Sequence, residues 1–264
     1  VSLDVPGSRI AIFPPPYSDL APIMHALAIA EPPDGAAVVW FLQDATTQQP
    51  EYDLLRERSP ALPLFVLLPP ARDIRATLPL LHRVPSLRPR AVLPGPGLGS
   101  PVHLRELLAL PPRGIADVLV EHLAWRGLLT DRVATREVRR IIELAPDVNS
   151  ISGLARRMYT SRRTLGRHFA SLGLPVPSHW LQFARLFHVA LQIQANPGAI
   201  FRIATRAGYP DGFTLSNQMK RLIGCRPTHV RRCLGWEWIV EAWLRMESAR
   251  GALTLRSRRA RLPG

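Results

Sequence analysis

The sequence predicts an α/β N-terminal domain on a small parallel sheet, followed by an all-α C-terminal domain with two helix-turn-helix motifs. Three observations carry this expectation. Short apolar runs alternate with amphipathic stretches through the first 110 residues. Two helix pairs of similar pattern follow each other between 149 and 232. That second stretch holds thirteen Arg and Lys residues against one acid, Asp211.

The α/β reading rests on four runs rich in branched residues: RIAIF (9–13), AAVVWFL (36–42), PLFVLL (63–68) and RAVL (90–93). Continuous apolar runs bounded by Pro and Gly suit strands buried on both faces. Helical patterns fall between and after them at 18–30, 51–59, 73–84 and 101–110. The implied order is β-α-β-α-β-α-β-α. Ser100-Pro101 is an ordinary helix start, an N-cap with proline at the first helical position. The preceding Gly95-Pro96-Gly97-Leu98-Gly99 therefore reads as a turn more readily than as a phosphate loop.

Pro111, Pro112 and Gly114 end this module. Helices are expected at 115–129 and 135–144, the first with a stripe of Ile115, Val118, Leu119, His122 and Leu123. Such a stripe serves core packing more often than a dimer seam. In the first helix pair, Ile151, Leu154 and Ala155 open a helix, Met158-Tyr159-Thr160 turns the chain, and Ser161 caps a second helix. Leu165 and Phe169 then face the core, which leaves Arg162, Arg163, Gly166 and Arg167 in front. The apolar helix 178–194 follows, stopped by Asn196-Pro197-Gly198. In the second pair, Gly208 turns with positive φ and Asp211 caps. Leu215 and Met219 point inward, and Phe213, Ser216, Asn217 and Lys220 outward. The tail holds one helix, 236–248, and a basic end. The domains expected are thus 1–112, a helical linker 113–148, the tandem unit 149–232, and 233–264.

Charge separates the halves. Residues 1–112 carry nine basic and ten acidic residues, while 113–264 carry twenty-five and ten. A GC-rich genome explains Arg over Lys but not the loss of acids from 149 to 232. A helical region of one sign expects a polyanion partner, first of all double-stranded DNA. Arg163 and Arg167 can each donate two hydrogen bonds to guanine, Asn217 can read adenine, and Phe213 can touch a thymine methyl. Other function classes find little. Cys225 and Cys233 give no disulfide framework or zinc site and are expected as reduced thiols, which fits a cytoplasmic protein. The histidines show no metal spacing, and no cofactor is expected. No nucleophile–base pair is evident, so an enzyme is not expected. The longest apolar run, 61–71, is short and broken by prolines, so no membrane span is expected. No signal peptide pattern opens the chain.

The segment 149–232 resembles the DNA-binding domain of AraC/XylS-type transcriptional regulators, a bacterial family. The resemblance lies in Leu154-Ala155, Ser161, Leu165, Arg167, Phe169, Gly173, Trp180-Leu181, Arg185 and Ala190, then Ile203-Ala204, Gly208-Tyr209, Asp211, Lys220-Arg221, Gly224, Pro227 and Arg231. It implies base reading by Arg163 and Arg167 in the first unit and by Phe213, Thr214 and Asn217 in the second. Arg162, Ser216, Lys220 and Arg221 complete the expected DNA-binding set. Three departures stand out: Gly166 on the groove side, Asn217 where Arg is usual, and Leu215 and Met219 in place of Phe.

Within the first 112 residues, the runs AAVVWFLQD (36–44), EYDLLRERSPALPLFVLLPP (51–70) and RAVLPGPG (90–97) resemble the later part of a response-regulator receiver, with Asp44 near the phosphoacceptor position. The acids that would hold magnesium are replaced by Phe13-Pro14-Pro15-Pro16, and Leu68-Pro69-Pro70 stands where a hydroxyl is usual. A degenerate receiver-like domain that is not phosphorylated is therefore expected. The function expected is a sequence-specific transcription regulator controlled through that domain. Further candidate partners are a second copy, through the N-terminal domain or linker helix, and RNA polymerase. The rival is a protein–protein module that has lost DNA readout.

Overall fold

The computed structural model describes residues 9–22, 27–42, 49–69, 78–94 and 100–253. Asp44, the Gly95–Gly99 loop and the basic end from 254 lie outside these described residues. Two compact units emerge, one from residues up to Leu110 with Arg231–Glu241, the other from Pro111–Val230 with the residues from Ala242 onward.

The first unit is a sheet of β1 (Ile10–Phe13), β2 (Ala21–Pro22), β3 (Ala37–Phe41), β4 (Leu64–Leu67) and β5 (Ala91–Leu93). Their order is β2-β1-β3-β4-β5. Helices α1 (Leu27–Ala30), α2 (Gln49–Arg56), α3 (Leu78–Leu81) and α4 (Pro101–Ala109) accompany them. The α/β class holds, with one correction: the sheet is mixed. Strands β3, β4 and β5 run parallel, but β1 pairs antiparallel with β3 and with β2. A parallel β1–β3 pair would need a full crossover, usually a long helix. Here Pro14, Pro15 and Pro16 turn the chain directly after β1, and within the expected helix 18–30 the described residues form β2 and α1.

The sheet is buried on both faces, as its apolar runs require. Alternation along β3 sends Val38 and Trp40 to one side, where Ile29, Tyr52, Leu55 and Leu87 cover them. Ala37 and Val39 go to the other, under Leu104, Leu108, Tyr17 and Leu234. Leu234 comes from the far end of the sequence. Its backbone N–H donates to Tyr17 Oη at 2.6 Å, while that hydroxyl donates to Gly35 O at 2.7 Å. Gly35 sits at φ +79°, and a Cβ there would meet Cys233 Cα at 2.7 Å, so only glycine fits. Arg90 pairs with Glu237 at 2.8 Å in the same layer.

The second unit is helical: α5 (Ile115–Trp125), α6 (Arg132–Leu144), α7 (Ile151–Arg157), α8 (Arg162–Ser171), α9 (Pro177–Ala195), α10 (Ile200–Arg206), α11 (Gly212–Ile223) and α12 (Pro227–Arg232). Helix α13 (Glu237–Ala249) gives its residues through Glu241 to the first unit and the rest to this one. Asp131 caps α6, accepting from Val133 and Ala134 N–H groups. Of the stripe on α5, Leu119, His122 and Leu123 are buried and Ile115 and Val118 half-buried, and α5 packs along α6. At the centre lies α9, apolar nearly all round and buried by α6, α7, α8, α10 and α11. Phe183 stacks on Trp243 with ring centroids 4.0 Å apart, and Trp180 meets Trp243 edge-on at 4.9 Å. No helix among the described residues is long and apolar enough to cross a membrane.

Candidate nucleic-acid interface

Two copies of one local design stand on α9. Each begins with a short scaffold helix, α7 or α10, whose Leu154-Ala155 or Ile203-Ala204 is buried. Each ends in a left-handed turn, at Tyr159 with φ 54° and at Gly208 with φ 78°. The hydrogen bonds agree residue for residue. Thr160 N donates to Ala155 O at 2.9 Å, and Tyr209 N to Ala204 O at 3.0 Å, each closing a six-residue helix stop. The second helix of each pair is then capped. Ser161 Oγ accepts from Thr164 N at 3.0 Å, and the Asp211 carboxylate from Thr214 N at 2.6 Å. These bonds to Thr214 hold the Asp211 carboxyl below its usual range.

Caps and inward residues fix which way each helix faces. On α8, Leu165 and Phe169 are buried; on α11, Leu215 and Met219 are completely so. The departures from the customary Phe residues therefore leave the second unit closed. Outward on α8 stand Arg162, Arg163 and Arg167, all exposed. Gly166 lies on the same side, and a Cβ added there would meet nothing within 4 Å, so a flat step lies beside the two arginines. Outward on α11 are Phe213, Thr214, Asn217, Lys220 and Arg221, with Ser216 half-buried. Phe213 is 74% exposed, which rules out its folding back as a staple.

Electrostatics distinguish the members. Among the described residues, the side chains of Arg162, Arg163, Arg167, Asn217 and Lys220 make no hydrogen bond or ion pair. Their donors face solvent, unneutralised. Arg221 differs: its guanidinium donates to Gln182 Oε1 on α9 at 2.8 Å, and its carbonyl accepts from Arg250. Thr214 is likewise engaged with the Asp211 cap. The structure thus gathers the nominated residues on two exposed helix faces, with Arg221 and Thr214 partly committed to the fold.

Sequence reasoning overlooked a set of positioning residues on α9. His179, Gln182, Arg185 and His188 recur every third residue along an otherwise apolar helix, and this regular polar stripe was the available signal. His179 Nδ1 lies 2.9 Å from the buried Glu247 carboxylate. Gln182 holds Arg221. Arg185 donates to Ala207 O at 3.0 Å and lies over the Tyr209 ring, which fixes the turn before α11. His188 Nε2 donates to Ile142 O at 3.0 Å, and burial pushes its pKa down. No group of His, Cys, Asp or Glu suited to a metal occurs among the described residues.

Comparison with known proteins agrees on this region. Residues 154–232 match the family model described as a helix-turn-helix domain, which spans both helix pairs and α9. No curated protein and no solved structure gives a match. The match supports an AraC-type helix-turn-helix DNA-binding domain over residues 154–232 and, in general terms, a DNA-binding transcriptional regulator.

Proposed function

We propose that α8 and α11 enter adjacent major grooves of double-stranded DNA and read sequence there. The observation that carries this is the repeated cap-and-turn geometry, which presents two helices in the same way with free donors outward. Arg163 and Arg167 read guanine O6 and N7, Asn217 reads adenine, and Phe213 meets a thymine methyl. Arg162, Ser216, Lys220 and Arg221 contact backbone phosphates, which supply most of the affinity, and Thr214 stands with Phe213 and Asn217 in the base-reading group. The matched family is a regulatory domain, which favours this reading over a protein–protein relic and over an enzyme.

Control resides in the N-terminal unit, a receiver-like module that works without phosphorylation. Its strands β3, β4 and β5 run parallel, as in receiver-type sheets, and Phe13, where a receiver would need an acid, is buried in the core. The reversed β1 sets it apart from a working receiver. A second copy and RNA polymerase are the protein partners proposed.

Single substitutions test the assignment. Arg163→Ala or Arg167→Ala should cost about 1–3 kcal/mol on the preferred site and relax specificity at one position. An equal loss on preferred and random duplexes would reassign that residue to a phosphate.

A further inference from the structure

The two reading units share their helix-stop and cap bonds, with one more residue between turn and cap in the second, and differ in chemistry at the entrance to the second helix. In the first, an open cleft before α8 is lined by Ile151, Arg162, Arg163, Pro177 and Ser178. Counting from the caps Ser161 and Asp211, the counterparts of Arg162 and Arg163 are Gly212 and Phe213. Counting from the left-handed residues Tyr159 and Gly208, the counterpart of Ser152 is Phe201. Phe201 is 60% exposed and Phe213 74% exposed. They flank Gly212, whose added Cβ would lie 3.9 Å from Phe201 Cβ, so the first turn of α10 sits against the start of α11. Two aromatic side chains therefore stand in solvent where the first unit has Ser152 and Arg163.

An exposed aromatic pair at such a place asks for an occupant. Its surroundings select one. Arg202 lies over the Phe201 ring at 5.9 Å, Arg206 is exposed on the same short helix, and Lys220 is exposed on α11. The one acid nearby, Asp211, is bound to Thr214 N–H as the cap. A patch of apolar rings framed by cations complements a polyanion that also carries apolar groups. Double-stranded DNA has such groups in the thymine methyls of the major groove.

We infer that Phe201, together with Phe213, is a specificity residue of the second unit, packing against thymine methyls, so that the two half-sites differ in kind. The first half-site is read by charge-assisted bonds to guanine, the second by apolar contact and by Asn217 at A·T pairs. The inference rests on α11 entering a groove, but Phe201 lies outside the reading helix and can fail alone. It also fixes how the two units respond to salt. Arginine contacts to phosphate release counterions, whereas a phenyl–methyl contact releases none.

The test uses the whole chain and a duplex selected from a random library, prepared once with thymine and once with uracil. Loss of the thymine methyls should weaken wild-type binding by about fourfold for each methyl buried. Phe201→Ala should weaken binding to the thymine duplex, leave the salt slope unchanged and abolish most of the thymine–uracil difference at one position. Both rings are exposed, so the variant's unfolding midpoint should equal the wild type's. A thymine–uracil difference undiminished at every position in Phe201→Ala, or an affinity unchanged by that substitution, overturns the inference and leaves the pair as a protein-contact surface. Failure to recover any preferred duplex with wild type defeats groove reading itself, which is a separate outcome.

Discussion

The two helix-turn-helix turns make a reciprocal prediction about backbone strain. Tyr159 and Gly208 occupy the same left-handed position, and their flanking hydrogen bonds differ by no more than 0.2 Å. A left-handed conformation costs a residue with a Cβ about 1–2 kcal/mol. Glycine avoids this but loses about 0.5–1 kcal/mol more chain freedom on folding. The Tyr159 ring is 97% exposed, so its removal forfeits little packing. Tyr159→Gly should therefore stabilise by about 0.5–1 kcal/mol. Gly208→Ala should destabilise by about 1 kcal/mol, and the new Cβ would lie 3.5 Å from Arg185 Nη2, an ordinary contact without a clash. Urea unfolding followed by helical circular dichroism compares both variants on one transition. In thermal unfolding a 1 kcal/mol change should move Tm by about 2–4 °C. Shifts of the same sign in the two variants, or a loss of stability in Tyr159→Gly, would show that the turns are not equivalent.

Other consequences concern the parts that position the site. Arg58 is buried and its guanidinium donates to Leu55 O, Leu62 O and Leu87 O, so Arg58→Met should cost about 3–5 kcal/mol by taking the donors from the Leu62 and Leu87 carbonyls, measured by urea unfolding. Tyr17→Phe removes the hydroxyl that serves both Gly35 O and Leu234 N, and should destabilise by about 2–4 kcal/mol. A change under about 0.5 kcal/mol would mean that the Arg231–Glu241 segment does not need this anchor. His188 has its pKa lowered by burial. Its contribution is present above the unfolded-state value of about 6.5 and lost as pH falls through that value toward the lower folded one. Stability should fall between about pH 7.5 and 5.5 in wild type and fall less in His188→Gln, as read from urea midpoints across that range.

Most of the C-terminal architecture was legible because its signals are local. Ser161 and Asp211 are caps with a side-chain acceptor at the right offset, and Leu165/Phe169 and Leu215/Met219 repeat at helical spacing. The N-terminal unit was legible as α/β, since buried strands show in composition, but not in strand direction. Direction depends on how a connection closes, and neither Ile10–Phe13 nor its partner strand encodes that alone. Equally hidden was the recruitment of Arg231–Glu241 into the first unit. That segment docks through a backbone N–H, a close approach to Gly35 and the Arg90–Glu237 pair, all contacts between residues far apart in sequence. At the interface, exposure could be inferred from the inward-facing residues, but the tethering of Arg221 by Gln182 could not. The role of Phe213 turned on its exposure, which a helix-start aromatic does not reveal in one dimension.

The most direct measurement is selection of bound duplexes from a random library by the full chain, with the winner's affinity then followed against salt. Two reading helices predict a site of two elements about one helical turn apart and an affinity that falls steeply with salt, by about 0.9 in logarithmic slope for each phosphate neutralised. Arg163→Ala should then lose preference within one element only. Steep salt dependence with no enriched sequence, or no binding at low salt, would contradict groove reading by α8 and α11.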